Sequence, residues 1–250
     1  MIIFNLSNLL RKSFGNIYTR LSNPTTAVLE ERLASLEGGR GSTCTASGHS
    51  AQMVALLPLM SPGSRIVASN KLYGGSITQL GGTFKKFGWH CTFVNADSID
   101  EVRVAAREPG VKAIFAESLA NPGGVVTDIA ALSEAAREAK IPLVIDNTLA
   151  TPYLCRPIEH GADIVVHSTT KFLSGHGNAM GGAVVDSGNF DWFTPENSLS
   201  SDGGPIGAKF PSLGEPEPGY HGLTFYETFG DLAYTTYCHA VGLRDLGPVS

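Results

Sequence analysis

A single lysine, Lys171, stands among hydroxyl side chains in the stretch HSTTKFLSGHG, directly after a run of apolar residues. A lysine held by a rigid turn among polar groups can act as a Schiff-base nucleophile, provided that its surroundings keep part of the amine unprotonated. The alternative is an exposed structural lysine, which is the commoner fate of any one lysine. Lys171 therefore becomes a catalytic candidate only if other residues support it.

Asp146 ends the apolar stretch PLVID, one predicted strand before the lysine. A carboxylate at this position can pair with a pyridinium nitrogen and keep it protonated, which makes a pyridoxal ring an electron sink. The alternative role is a helix cap or a turn with Asn147. The presence of Lys171 weakens that alternative, because adjacent parallel strands would direct both side chains into one crevice.

A phosphate site is predicted at the start of a helical pattern. The stretch ASGHSAQM places Ser47, Gly48 and His49 where backbone amides and the helix dipole could receive an anion, although such a motif is more often an ordinary capped helix. Ser168 and Thr170 add hydroxyl donors from the turn that contains the lysine. Together these residues predict a cofactor whose phosphate is held by hydroxyls and whose aldehyde is held covalently by the lysine.

The elements that must position these residues alternate between strands and helices. The near-continuous apolarity of the strand runs predicts a mostly parallel α/β sheet covered by helices on both faces, with ligands at the carboxyl ends of the strands. Predicted strands occupy residues 65–69, 91–96, 113–118, 142–148, 163–170 and 181–186. Predicted helices occupy residues 25–37, 49–60, 127–140 and 224–247. Residues 187–222, rich in Gly, Pro and Ser, are predicted to be a long functional loop.

Composition narrows the class of partner. The formal net charge of −5 and the charged fraction of 16% provide no basic field, so we expect no nucleic-acid binding. No apolar run approaches the roughly 20 residues that span a bilayer, so we expect no membrane association. The four cysteines are far apart, which favours free thiols in a reducing cytoplasm. The histidines lack helical i, i+4 spacing, so no metal site is predicted.

The sequence closely resembles the Cys/Met-metabolism family of pyridoxal 5'-phosphate (PLP) enzymes, and within it the O-acetylhomoserine sulfhydrylases. The resemblance extends over roughly residues 14–247 and implies the aspartate-aminotransferase-like fold, known as fold type I. It is carried by the stretches FGNIYTRLSNPT, ASGHSAQ, LYGGSITQ, ESLANPGG, VIDNTLATPYLCRPIEHGADIVVHSTTKFLSGHG, GGAVVDSG and EPEPGYHGL. A nucleotide-binding α/β protein is disfavoured, because neither phosphate-binding glycine motif is present.

The resemblance implies a role for each matching residue. Lys171 would be the Schiff-base lysine, and Asp146 would be the partner of the pyridine nitrogen. Tyr73 would stack on the cofactor ring and assist departure of the leaving group. Glu117 and Asn121 would lie near the polar edge of the cofactor, with a turn at Asn-Pro-Gly as the alternative role.

The remaining matches concern the phosphate and the assembly. The residues that would hold the phosphate are Gly48, His49, Ser168 and Thr170. In the family, the tyrosine and arginine that match Tyr18 and Arg20 reach the phosphate of a neighbouring subunit. The resemblance therefore implies a homodimer, commonly within a homotetramer.

The implied reaction is a γ-replacement on O-acetyl-L-homoserine with sulfide or a thiol, giving homocysteine or methionine. A cystathionine γ-synthase or methionine γ-lyase type of activity would use the same cofactor residues. Relative to the family, we expect residues 1–20 to be a shortened N-terminal arm and residues 21–250 to be the large PLP-binding domain. The small C-terminal domain, which carries the substrate-carboxylate arginine, is expected to be missing. A non-catalytic PLP-binding fragment is therefore a further alternative.

Overall fold

The strands form one sheet, and strands and helices alternate along the chain as predicted. The computed structural model of the chain describes Thr19, residues 22–192 and residues 210–245. Its seven strands lie in the order β1-β7-β6-β5-β4-β2-β3. They are β1 (Gly41–Thr45), β2 (Arg65–Ser69), β3 (His90–Val94), β4 (Val111–Glu117), β5 (Leu143–Asp146), β6 (Ile164–His167) and β7 (Gly182–Asp186).

The sheet is mostly parallel, as predicted. Strands β2 to β6 pair in parallel, whereas β7 pairs antiparallel with both of its neighbours, β6 and β1. All six predicted strands are present, but β1 was not predicted. Its sequence GSTCT has no alternation of apolar and polar residues that would predict a strand. Pairing with β7 over five residue pairs stabilises it as a strand.

The helices follow the strands in the expected places, with some additions. The α-helices are α1 (Pro24–Glu37), α2 (Gly48–Leu56), α3 (Gly74–Thr78), α4 (Ile99–Ala106), α5 (Ile129–Ala139), α6 (Thr151–Leu154), α7 (Pro211–Gly214), α8 (Phe225–Phe229) and α9 (Ala233–Tyr237). Helix α3 continues through a π segment (Gln79–Thr83) into a 3-10 segment (Phe84–Phe87). Further 3-10 turns are Pro157–His160, Pro218–Tyr220 and Gly230–Leu232, and a π segment covers Cys238–Asp245.

Local capping explains where helix α5 begins and ends. The side chain of Asp128 accepts a hydrogen bond from the backbone N–H of Ala131, which satisfies one of the free donors of the first turn. At the other end Lys140 adopts the left-handed conformation, with φ of 54°, and closes the helix before β5. With its two caps, the observed helix covers the predicted range 127–140 to within one residue.

Each face of the sheet has its own hydrophobic core. Successive residues of β2 point in opposite directions, so Ile66 and Ala68 pack on one face and Val67 on the other. The first core lies under α2 and the C-terminal helices, and the second lies under α1, α4 and α5. This burial on both sides is why the strands have continuous apolar runs.

The segment after β7 differs from its prediction. Residues 193–209 of the predicted loop lie outside the described residues, but the loop's last part contains helix α7 and a 3-10 turn. Phe210 and Leu213 are buried in the first core, so burial of their side chains orders this stretch. The predicted long helix at 224–247 is divided at Gly230, which has φ of 55°. None of the helices in the described ranges has the length and apolar character that a bilayer crossing requires.

Asp186, at the end of β7, is a buried carboxyl. Its Oδ1 accepts a hydrogen bond from the backbone N–H of Gly188 at 3.0 Å. Burial raises the pKa of Asp186 to about 7, and the carboxylates of Asp163 and Asp231 act in the same direction. A carboxyl whose pKa is raised by folding stabilises the fold at low pH, and this stability is lost as the pH rises towards the folded-state pKa.

We therefore predict that Asp186→Asn gains stability relative to the parent chain as the pH rises. The amide keeps an acceptor for Gly188 and never ionises, so the difference in Tm should increase by on the order of 5 °C between about pH 5 and about pH 8. Thermal unfolding of both chains across this range measures the difference. Asp100→Asn, at a carboxylate that is 95% exposed, controls for the loss of a surface charge. Parallel curves for Asp186→Asn and the parent would contradict the prediction.

Candidate active site

The carboxyl ends of three neighbouring parallel strands create the site. Glu117, the last residue of β4, pairs in register with Asp146, the last residue of β5. Ser168 follows directly after β6, the next strand across the sheet, and Lys171 lies in the turn beyond it. Because parallel strands end at the same edge, residues far apart in sequence meet there.

A cavity of about 250 Å³ opens at this edge. All ten of the predicted site residues that lie within the described ranges line it. They are Ser47, Gly48, His49, Tyr73, Glu117, Asn121, Asp146, Ser168, Thr170 and Lys171. The other two predicted site residues, Tyr18 and Arg20, lie outside the described residues.

The start of helix α2 forms a cradle that suits a phosphate. A Cβ built on Gly48 would lie 2.7 Å from Ser168 Cβ, so only glycine lets the helix N-terminus approach the turn after β6 this closely. The first backbone N–H groups of such a helix are available to an anion. The side chain of Ser47 caps the helix by accepting from Ser50 N at 3.1 Å. The hydroxyl of Thr170 bonds to both backbone groups of Gly181, which braces the turn that contains Lys171.

Two residues, Thr148 and Gln52, hold the carboxylate of Asp146. The backbone N–H and the hydroxyl of Thr148 both donate to Oδ1. Gln52 Nε2, from α2, donates to Oδ2 at 3.2 Å. These three donors fix the orientation of the carboxylate, which is what an acceptor for a pyridinium N–H requires.

Glu117 connects two other parts of the cavity wall. Its Oε1 accepts from the backbone N–H of Tyr73 at 2.6 Å, and its Oε2 accepts from the backbone N–H of Asn121 at 3.0 Å. Burial raises the pKa of Glu117 to about 7; the two amide hydrogen bonds oppose this shift, and the nearby Asp146 carboxylate adds to it. Glu117 therefore positions the backbone on either side of the cavity.

Tyr73 and Lys171 lie at the mouth of the cavity. Tyr73 is 50% exposed, and its ring centroid lies 6.1 Å from that of His49. Gly75 leaves room for both rings, because a Cβ there would lie 2.5 Å from the Tyr73 ring and 2.8 Å from the His49 ring. Lys171 is exposed at the same opening. An aromatic face and an amine thus border one entrance.

The structure adds residues that sequence reasoning did not find. Thr148 could have been found, because a hydroxyl two residues after an aspartate is typical of a local side-chain turn. Gln52 lies one helical turn after Gly48, but only the tertiary structure shows its contact with Asp146. The cavity-lining residues absent from the prediction are Gln52, Ser76, Leu119, Thr148, Leu149 and Met180. In residues 22–192 and 210–245, no group of three or more His, Cys, Asp or Glu side chains is arranged to hold a metal ion.

Comparison with known proteins agrees with this geometry. The family model described as Cys/Met metabolism PLP-dependent enzyme matches residues 5–213. An O-acetyl-L-homoserine sulfhydrylase of Leptospira meyeri is 47% identical over 245 residues, which are 95% of this chain and 52% of that protein. The chain thus spans about half the length of the curated relatives it matches.

Two solved structures share the fold. A Campylobacter jejuni structure described as a candidate O-acetylhomoserine (thiol)-lyase, with a pyridoxyl-lysine phosphate, has a TM-score of 0.85 at 35% identity and covers 100% of this chain and 60% of that one. A cystathionine gamma synthase from Xanthomonas oryzae pv. oryzae has a TM-score of 0.66 at 34% identity and covers 70% of this chain and 45% of that one. The predicted fold class, PLP-dependent fold type I, is confirmed.

We predict that Gly48→Ala weakens PLP binding by about tenfold or more, because the new methyl group would force the start of α2 away from Ser168. Fluorescence titration with PLP measures the loss. Gly82→Ala is the matched control, since a Cβ at Gly82 would meet no atom within 4 Å. Equal affinity for the two variants would show that the cradle does not hold the phosphate.

Proposed function

The chain belongs to the Cys/Met-metabolism family of PLP-dependent enzymes, and from this premise we propose that it performs γ-replacement on O-acetyl-L-homoserine with sulfide or a thiol. The product would be homocysteine or methionine. The observation that carries the proposal is the convergence of Lys171, Asp146 and the Gly48 cradle on one cavity. The identity to a relative named O-acetyl-L-homoserine sulfhydrylase supports this choice of substrate.

The cavity fits PLP on the grounds of its shape and its donors. Gly48, His49 and Ser168 would surround the phosphate, and Asp146 would accept from the pyridine nitrogen. The ring would lie against Tyr73. When bound, PLP supplies an aldehyde for the substrate amine and a ring that withdraws electrons from the substrate Cα.

The residues of the chain then have distinct tasks. Lys171 Nζ, once in its neutral form, accepts the proton from the substrate Cα and can return one at the end of the reaction. Asp146 would face the ring nitrogen in a fixed orientation, because Thr148 donates to one of its oxygens and Gln52 to the other. Tyr73, at the mouth, would assist departure of acetate from the substrate Cγ. Glu117 holds the backbone of Tyr73 and Asn121 in position for these steps.

The proposal includes a second copy of the chain. The cavity opens at a surface where Tyr73 is half exposed, as expected if a neighbouring subunit completes the wall. Tyr18 and Arg20 are the residues proposed to reach across and contact the phosphate. A homodimer or homotetramer is thus part of the proposed function. The cytoplasmic location inferred from the cysteines stays a prediction.

A second candidate function follows from the likeness to a cystathionine gamma synthase. That reaction would use the same cofactor contacts with cysteine as the sulfur donor. Incubation with O-acetylhomoserine and either sulfide or cysteine, followed by amino-acid analysis, distinguishes homocysteine from cystathionine. PLP binding without turnover of either mixture would favour a non-catalytic PLP-binding chain.

We predict that Lys171→Ala abolishes the PLP adduct that borohydride fixes to the parent chain. The amine is the only atom at position 171 able to form the linkage. Peptide mapping and mass spectrometry of the reduced protein locate the adduct. Lys71→Ala, in the loop before Tyr73, should leave the adduct intact because the Lys71 amine pairs with Asp97. A parent adduct at a lysine other than Lys171 would refute the assignment.

Asp146→Asn should keep the adduct and slow removal of the substrate α-proton by about 100-fold or more. The amide removes the charge that sustains protonation of the ring nitrogen, while Lys171 is unchanged. Exchange of the α-proton of O-acetylhomoserine in heavy water, followed by NMR, measures this step separately from sulfur addition. Parental exchange rates in the variant would show that Asp146 does not serve the ring.

A further inference from the structure

A fully buried polar cluster lies next to the candidate site but outside its cavity. Glu37 Oε1, at the end of α1, accepts a hydrogen bond from Asn147 Nδ2 at 2.9 Å and lies 2.6 Å from His167 Nε2. All three side chains have 0% exposure. Ser118 Oγ extends the cluster by donating to Asn147 Oδ1 at 2.8 Å. We call these four residues the Glu37 network.

Each strand-end member of the network is the immediate neighbour of a cavity residue. Ser118 follows Glu117, and Asn147 follows Asp146. His167 precedes Ser168. In extended backbone, successive side chains point to opposite sides, which places one residue of each pair in the cavity and the other in the network. None of the four network residues lines the cavity.

Backbone hydrogen bonds link the network to the cavity residues. Ser118 N donates to the carbonyl of Asp146, and Asn147 N donates to the carbonyl of Val166. Ser168 N donates to Thr148 Oγ1, and Thr148 in turn holds Asp146. A displacement of Asn147 or His167 is therefore transmitted to the groups that face the cavity.

Packing alone does not explain why polar residues fill this volume. Burial of the Glu37 carboxyl requires donors, and apolar side chains of similar volume would be at least as stabilising. Directional hydrogen bonds do what apolar packing cannot, since they define the separation and rotation of the strand ends.

We infer that Glu37 is a positioning residue, which through Asn147 and His167 sets the relative placement of Asp146 and Ser168. Asp146 is the proposed contact of the ring nitrogen and Ser168 that of the phosphate, so the network fixes the span between the two ends of the cofactor. The inference rests on the proposed function for the identity of the ligand. The placement of the strand ends themselves does not depend on it.

The chain offers a matched control on the same helix. Glu30 lies seven residues before Glu37 and hence on nearly the same face of α1. Glu30 accepts a hydrogen bond from the backbone N–H of Cys44 at 2.8 Å, and it pairs with the side chain of His239 at 3.4 Å. Glu30 contacts β1, at the far edge of the sheet from β4 and β5. Loss of Glu30 therefore tests the general effect of removing a partnered glutamate from α1.

The first measurement uses the full chain without cofactor. Amide hydrogen exchange, followed residue by residue, should be about tenfold faster at Ser118, Asn147 and Ser168 in Glu37→Ala than in the parent. The amides of β3 should be unchanged. Glu30→Ala should leave the three amides within about twofold of the parent. Equal rates in Glu37→Ala and the parent, or the same acceleration in Glu30→Ala, would overturn the inference.

The second measurement is the affinity for PLP. Glu37→Ala should raise the dissociation constant about tenfold, whereas Glu37→Gln, which keeps an acceptor at the position of Oε1, should remain within about threefold of the parent. Failure of Glu37→Gln to restore affinity would show that hydrogen bonding at this position is not what matters. If Glu37→Ala does not fold, Ser118→Ala tests the outer end of the network, with an expected loss of about threefold in affinity and faster exchange at Asn147. Parental behaviour of that variant in both measurements would overturn the inference.

The two measurements distinguish the inference from the proposed function. A parent chain that forms no PLP adduct would refute the proposed function. The exchange measurement would still decide whether Glu37 positions the strand ends. Binding of PLP by the parent together with unchanged exchange in Glu37→Ala would refute the inference and leave the proposed function intact.

Discussion

The parallel pairing of β4, β5 and β6 is the constraint on which the rest of the site depends. In-register pairing puts Glu117 beside Asp146, and the next strand adds Ser168 at the same edge. Parallel strands must be connected over the faces of the sheet, so their carboxyl ends are left open for a ligand. A one-residue slip in either pairing would turn Asp146 away from the cavity and Asn147 into it.

The strand ends contribute side chains to two different environments. One side faces a cavity whose carboxylates are held by amides and hydroxyls, and the other faces the fully buried Glu37 network. The cavity side would have to admit the proposed cofactor and substrate, so it cannot be filled by packing. Rigidity can then come from the opposite side, where Glu37 Oε1 is bonded within the protein to Asn147 and His167.

The helix that carries the cradle also supports the carboxylate. Gly48 lets the start of α2 meet the turn after β6, and Gln52, one turn later, donates to Asp146. One element thus sets both the anion end and the ring-nitrogen end of the proposed cofactor site. The close approach at Gly48 links the two ends of the site, because a displacement of the start of α2 would also move Gln52.

Local sequence predicted helices α1, α2 and α5, six of the seven strands in the described residues, and ten of the residues that line the cavity. Apolar runs ending near Glu117, Asp146 and Ser168 can be recognised in the sequence, because strands buried on both faces consist of nearly continuous apolar residues. The hydroxyl-rich motif around Lys171 lies in one continuous stretch, so it predicted Schiff-base chemistry without a structure. Tertiary structure alone decided the edge strand β1, which needs β7 as its partner, and the segment 210–222, where Phe210 is ordered by burial. It alone also placed Gln52 on Asp146 and Glu37 on His167, contacts that span 94 and 130 residues. Side-chain contacts over such distances leave no periodicity in the sequence, because they arise only when the sheet order brings separate elements together.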